Sequence, residues 1–210
     1  MRAGNLIDRR DFLRRSGSFA AVAFSARVWR TPAPEPGRLA ARVRKPTRDI
    51  APGDHILADD EGRRAILYVP PGYDAAKPAP FMLALHGATG SGDSMLRGSR
   101  AAANACGVIV LSPSSRDYTW DAIRHPYGED LSRIDRMLSD AFDQCAVDPQ
   151  RVAICGFSDG ATYALSVGLV NGDLFTHVIG HSAGFIIPGS PHGKPKIFLS
   201  HGRQIGRAHV

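Results

Sequence analysis

The sequence predicts an α/β fold, a mostly parallel sheet with helices on both faces. Three observations lead there. Short apolar runs alternate with longer stretches of helical periodicity between residues 54 and 202. The apolar runs are near-continuous rather than alternating, as suits strands buried on both faces. Strand–helix–strand repetition then places the intervening helices against the sheet.

Taken in chain order, residues 65–69, 81–85, 108–111, 152–155, 178–181 and 197–200 are expected strands, mostly bounded by Gly, Pro or polar residues. Residues 96–106, 129–142 and 161–169 are expected helices. In the second, Leu131, Ile134, Met137, Leu138 and Phe142 fall at helical spacing, and Asp130, Arg133, Asp135, Arg136 and Asp140 take the remaining surface. Val147-Asp148-Pro149 is expected to turn before the fourth strand, because a proline pushes the residue before it away from helix. There is no internal repeat.

The most informative residues are Gly156-Phe157-Ser158-Asp159-Gly160, a G-x-S-x-G between an expected strand and an expected helix. Such a turn exposes a serine in a strained conformation, and its flanking glycines let neighbouring backbone pass without a Cβ clash. The helix that follows aims its N-terminus at the serine, favouring negative charge there. Ser158 is therefore the expected nucleophile. A second constellation, His86-Gly87-Ala88-Thr89-Gly90-Ser91-Gly92, ends an earlier apolar strand. Acyl transfer needs two N–H donors for the oxyanion, one after the nucleophile and one in the loop after the third strand. These map to Asp159 and Ala88. His86, Gly87, Thr89 and Tyr163 are expected to line the substrate pocket, with His86 shaping its loop by hydrogen bonding rather than acting as base. Asp121 is a further pocket candidate, structural by default. The loop lacks the Gly-Lys-Ser/Thr of a phosphate cradle.

Composition bounds the rest. The chain has 210 residues, 43% hydrophobic and 22% charged, enough for one domain and too apolar for a disordered chain. The net charge of +6 sits on the first 49 residues, which carry +8, and the remainder carries −2. Nucleic acid as a partner is set aside on that ground, since the basic excess should lie on the folded face. No run approaches the ~20 apolar residues of a membrane span, so no stable membrane anchor is expected. Cys106, Cys145 and Cys155 are too few for a disulfide scaffold, and a Cys106–Cys145 bridge is left open. Neither H-E-x-x-H nor paired C-x-x-C occurs, and no metal or cofactor is expected.

Asp8-Arg9-Arg10-Asp11-Phe12-Leu13-Arg14, followed by small apolar residues, resembles a twin-arginine export motif. Residues 1–30 are expected to be a signal peptide read by the twin-arginine export machinery, sending the protein to the periplasm or beyond. Residues 31–50, rich in Pro and Arg, are expected to be a linker. The domain is expected over 51–204. Residues 205–210 match one reading frame of a common sequencing adapter, so native sequence is expected to end near Arg203 or Gln204.

These motifs together resemble the α/β-hydrolase superfamily, and within it serine esterases of the phospholipase/carboxylesterase and polyhydroxybutyrate-depolymerase-like groups. The resemblance is carried by Tyr68-Val69-Pro70-Pro71-Gly72-Tyr73, Leu85-His86-Gly87, Val147-Asp148-Pro149-Gln150-Arg151-Val152, Gly156-Phe157-Ser158-Asp159-Gly160-Ala161 and Leu199-Ser200-His201-Gly202. It covers residues 54–203. It implies an α/β-hydrolase fold and an exported carboxylic ester hydrolase whose partner is a small-molecule or polymeric ester. The alternatives are a serine peptidase of the same superfamily and a non-catalytic hydrolase-like binding protein.

The superfamily orders its triad serine, acid, histidine. After Asp173 the chain contains no Asp or Glu. The triad acid and histidine are thus expected to be absent, with the final strand and helix, leaving catalysis impaired. His201 is read as a strand-end residue, and His209 falls in the adapter-like tail. His125, His177, His181 and His192 lack supporting spacing.

Overall fold

In a computed structural model of the protein, residues 35–60 and 63–202 are described. The expected signal peptide, the first part of the expected linker and the adapter-like tail lie outside them.

Seven strands form one sheet: β1 (Gly53–Asp60), β2 (Arg63–Val69), β3 (Ala79–Leu85), β4 (Ile109–Pro113), β5 (Val147–Phe157), β6 (His177–His181) and β7 (Lys196–Ser200). Their order is β1-β2-β4-β3-β5-β6-β7. Pairing is antiparallel from β1 to β2 and from β2 to β4, and parallel from β4 through β3, β5 and β6 to β7. Six of these strands are the expected ones, the boundaries moving by a few residues. β1 was not among them. Its apolar residues are confined to Ile56-Leu57-Ala58 between polar flanks and Ile56 stays exposed, so the run is too short to read as a strand.

The helices are α1 (Gly92–Cys106), α2 (Glu129–Gln144) and α3 (Asp159–Val170), with a 3-10 turn at Asp121–Ile123. Ser91 caps α1: its hydroxyl accepts the Ser94 N–H, and the Ser94 hydroxyl is reached in turn by the Ser91 N–H. Gly107, left-handed at φ 64, ends it. α2 buries the expected face, with Ile134, Met137, Leu138 and Phe142 inward. Asp130 and Arg133, expected on its surface, are buried too, the Asp130 carboxylate accepting the Arg116 and Asp121 N–H groups of the segment before α2. α3 is buried on almost every side. Among the described residues no helix is long and apolar enough to cross a membrane.

The expected turn at residues 147–149 is absorbed into β5. The pairing nonetheless jumps there, from Ala79 opposite Val147 to Phe81 opposite Val152. Asp148 takes up the slack, accepting the Gln150 N–H and pairing with Arg151.

Residues 35–50 correct the linker expectation. Leu39 and Ala41 are buried in the main core. Asn171, fully buried, accepts the Leu39 N–H through Oδ1 and donates through Nδ2 to the Gly37 carbonyl. Asp135 accepts the N–H groups of Ala40 and Ala41. Arg38 and Arg42 pair with Asp173, and Arg44 and Arg48 with Asp143. The basic residues of this strap therefore match carboxylates on the domain. Proline and arginine content alone cannot distinguish such a strap from a solvated linker, because its partners lie about a hundred residues away in the chain.

At the other edge, β7 leaves Ile197, Phe198 and Leu199 exposed, and Phe185 and Ile186 beside it are exposed as well. All three cysteines are free thiols, Cys106 exposed and Cys145 and Cys155 buried.

Candidate active site

A single residue, Ser158, separates the end of β5 from the start of α3, at φ 54 and ψ −120. A positive φ is strained for a residue bearing a side chain, and the surroundings must hold it there. They do so through backbone. The Ser158 N–H donates to the His181 carbonyl at 2.9 Å, and the Ser158 carbonyl accepts the Ala161 and Thr162 N–H groups. A Cβ on Gly156 would overlap the Gly160 carbonyl, and one on Gly160 would overlap the carbonyls of Leu85 and His86. The two glycines thus let β5, α3 and the end of β3 come together where no side chain fits.

That approach brings the loop after β3 against the serine. A cavity of about 370 Å3 opens between them, lined by His86, Gly87, Ala88, Thr89, Gly90, Ser94, Met95, Phe157 and Ser158. Of the pocket residues expected from sequence, His86, Gly87 and Thr89 lie on it. Tyr163 does not: it is fully buried, stacks near Trp120 and Tyr127, and donates its hydroxyl to Asp121 at 3.0 Å. Asp121 is equally structural, accepting N–H groups from Ala122, Gly128 and Asp130. Ser94, Met95 and Phe157 were missed. Phe157 could have been found as the immediate neighbour of the serine, whereas Ser94 and Met95 reach the cavity only because α1 starts beside it.

His86 is committed to its loop. Its Nε2 accepts the Ser115 N–H at 2.9 Å, so the proton sits on Nδ1, which donates to the Gly87 carbonyl at 2.7 Å. Burial pushes its pKa below the ordinary histidine value, outweighing the opposing hydrogen bond to Gly87. The ring is neutral and both nitrogens are spoken for. Trp120 Nε1 donates to the His86 carbonyl at 2.8 Å, its ring lying against the imidazole.

Four further histidines find partners elsewhere. His181 Nδ1 meets Ser200 Oγ at 2.6 Å, His177 meets Thr176, His192 pairs with Glu35, and His201 faces the Gly202 carbonyl. His201 also borders a second cavity, about 290 Å3 and apolar, between α3 and β7. Among the described residues none of these rings hydrogen-bonds Ser158. Asp159 is the first residue of α3, where N–H groups have no intrahelical acceptor. Ala88, in the loop, has no hydrogen-bond partner among the described residues.

A mostly parallel sheet with an antiparallel second strand, and a serine on the sharp turn from an inner strand into a buried helix, define the α/β-hydrolase fold. The relatives that share sequence with the chain are esterases. No family model matches it. It is 31% identical over 126 residues to a probable feruloyl esterase C of Aspergillus oryzae, covering 54% of this chain and 43% of that one. It is 32% identical over 114 residues to feruloyl esterase C of Emericella nidulans, covering 50% and 41%. The chain spans less than half the length of either. Among solved structures, S-formylglutathione hydrolase from Staphylococcus aureus superposes with a TM-score of 0.51 at 16% identity, covering 63% of this chain and 57% of that one. The last likeness is one of fold.

Proposed function

We propose that the chain carries the nucleophile and oxyanion donors of an exported carboxylic ester hydrolase working through an acyl-enzyme on Ser158. One observation carries the reading: Ser158 is held at φ 54 at the mouth of a cavity whose opposite wall is the His86–Gly90 backbone. The sequence similarity to feruloyl esterases supports it. Ser158 Oγ attacks the ester carbonyl carbon, and the charge that develops on the carbonyl oxygen is received by the N–H groups of Asp159 and Ala88. The C–O bond to the alcohol breaks, the acyl group stays on Ser158, and water releases it as the acid. Phe157 and Met95 give the cavity an apolar wall suited to an aromatic acyl group, and feruloyl esters are the first substrates to try. Residues 1–30, as a twin-arginine leader, place the protein in the periplasm or outside the cell.

The proton of Ser158 Oγ needs a base, and the described residues bring no histidine–acid pair to it. The reading therefore assigns the nucleophile and donors to the described residues and leaves the base unassigned. That same feature favours a second reading, a hydrolase-like binding protein in which the serine is incidental. A Ser158→Ala comparison on the full chain separates them. Loss of fluorophosphonate labelling and of ester turnover in the variant supports the enzyme. Equal turnover in both proteins, or ligand retention with no turnover in either, overturns it.

A further inference from the structure

The segment between β4 and the 3-10 turn touches both halves of the candidate site. The Thr89 N–H donates to the Tyr118 carbonyl at 2.7 Å, and Trp120 Nε1 holds the His86 carbonyl. Between those two anchors, Thr119 Oγ1 donates to Asp159 Oδ2 at 2.7 Å. Thr119 is 4% exposed and Asp159 half-buried, so the bond is partly shielded from water. Asp159 presents a difficulty for the chemistry: its N–H is an oxyanion donor in the reading above, yet its own carboxylate is an anion one residue from the nucleophile. An unrestrained carboxylate there repels the charge that the N–H is meant to receive. Asp159 is not among the residues that line the Ser158 cavity.

We propose that Thr119 is a positioning residue of this site: its hydroxyl pins the Asp159 carboxylate outside the cavity and so leaves the Asp159 N–H free to face the oxyanion. Thr119 touches no reacting atom and acts through Asp159 alone. Trp120 and Tyr118 fix Thr119 to the loop that carries Ala88, so the same short segment sets the place of both donors. The proposal rests on the esterase reading for its catalytic meaning, and on the hydrogen bond for its structural content.

The test compares Thr119→Val, which keeps the shape and removes the donor, with Thr119→Ser, which restores it, in the full chain. Amide exchange followed by 15N NMR is expected to slow about tenfold at Asp159 in the Val variant, where the released carboxylate repels hydroxide from the N–H, and return to the parent rate in the Ser variant. With 4-nitrophenyl acetate, kcat is expected to fall about tenfold at unchanged KM in the Val variant, recover in the Ser variant, and show no further fall when Thr119→Val is added to Asp159→Asn. An Asp159 amide indifferent to Thr119→Val overturns the proposal, as does a Ser158-dependent kcat that does not change. Turnover indifferent to Ser158→Ala removes the esterase reading instead, and the amide result then decides the role of Thr119 by itself.

Discussion

Asn171→Ala measures whether the strap of residues 35–50 belongs to the folded domain. The side chain is fully buried and makes three hydrogen bonds: Leu39 N–H to Oδ1 at 2.9 Å, Nδ2 to the Gly37 carbonyl at 2.7 Å, and Nδ2 to the Val167 carbonyl at 2.8 Å. The Val167 carbonyl keeps a partner after truncation, because the Asn171 N–H still donates to it. The Leu39 N–H and the Gly37 carbonyl lose theirs. Each buried backbone group left unmet costs about 1–3 kcal/mol, and water entry offsets part of that, so a loss of about 3 kcal/mol is expected. Arg48→Ala on the same strap is the control. It removes ion pairs to Asp140 and Asp143 from a side chain half exposed to solvent, together worth about 1 kcal/mol or less. Urea unfolding followed by tryptophan fluorescence reads both, with Trp120 as the buried reporter. A loss below about 1 kcal/mol for Asn171→Ala, or one no larger than that of Arg48→Ala, would refute the reasoning and return the strap to a linker.

Gly156→Ala is expected to prevent folding outright, since its Cβ meets the Gly160 backbone rather than a side chain that could move; soluble yield and a cooperative unfolding transition check it. The His86 ring is expected to titrate below pH 6.5 by NMR, because burial disfavours its charged form. Its contribution to stability is therefore whole above pH 6.5 and lost as the pH falls through its lowered value, which unfolding midpoints measured at stepped pH would show. A disulfide-forming thiol reagent is expected to modify one cysteine quickly in the native protein, and none in Cys106→Ser. Cys145 and Cys155 are buried, which pushes both thiols up to about 12.

The sequence by itself determined most of the sheet and the sharp turn that carries Ser158. Near-continuous apolar runs mark strands buried on both faces, and a serine between glycines at the end of such a run announces the sharp turn. Both signals are local, set by the period of the backbone and by the room a Cβ needs. Only the tertiary structure decided the rest. β1 went unread because an outer strand needs no unbroken apolar run, and the strap went unread because its partners Asn171, Asp135 and Asp143 are distant in the chain. Tyr163 follows the serine closely in sequence, yet the helix turns it inward to Asp121. His86 was expected to shape its loop by hydrogen bonding, but only the folded chain names the partners, the Ser115 N–H and the Gly87 carbonyl. Composition and spacing record what a segment can do alone; which distant donor meets which acceptor, and which side chain is denied water, is settled only when the chain closes on itself.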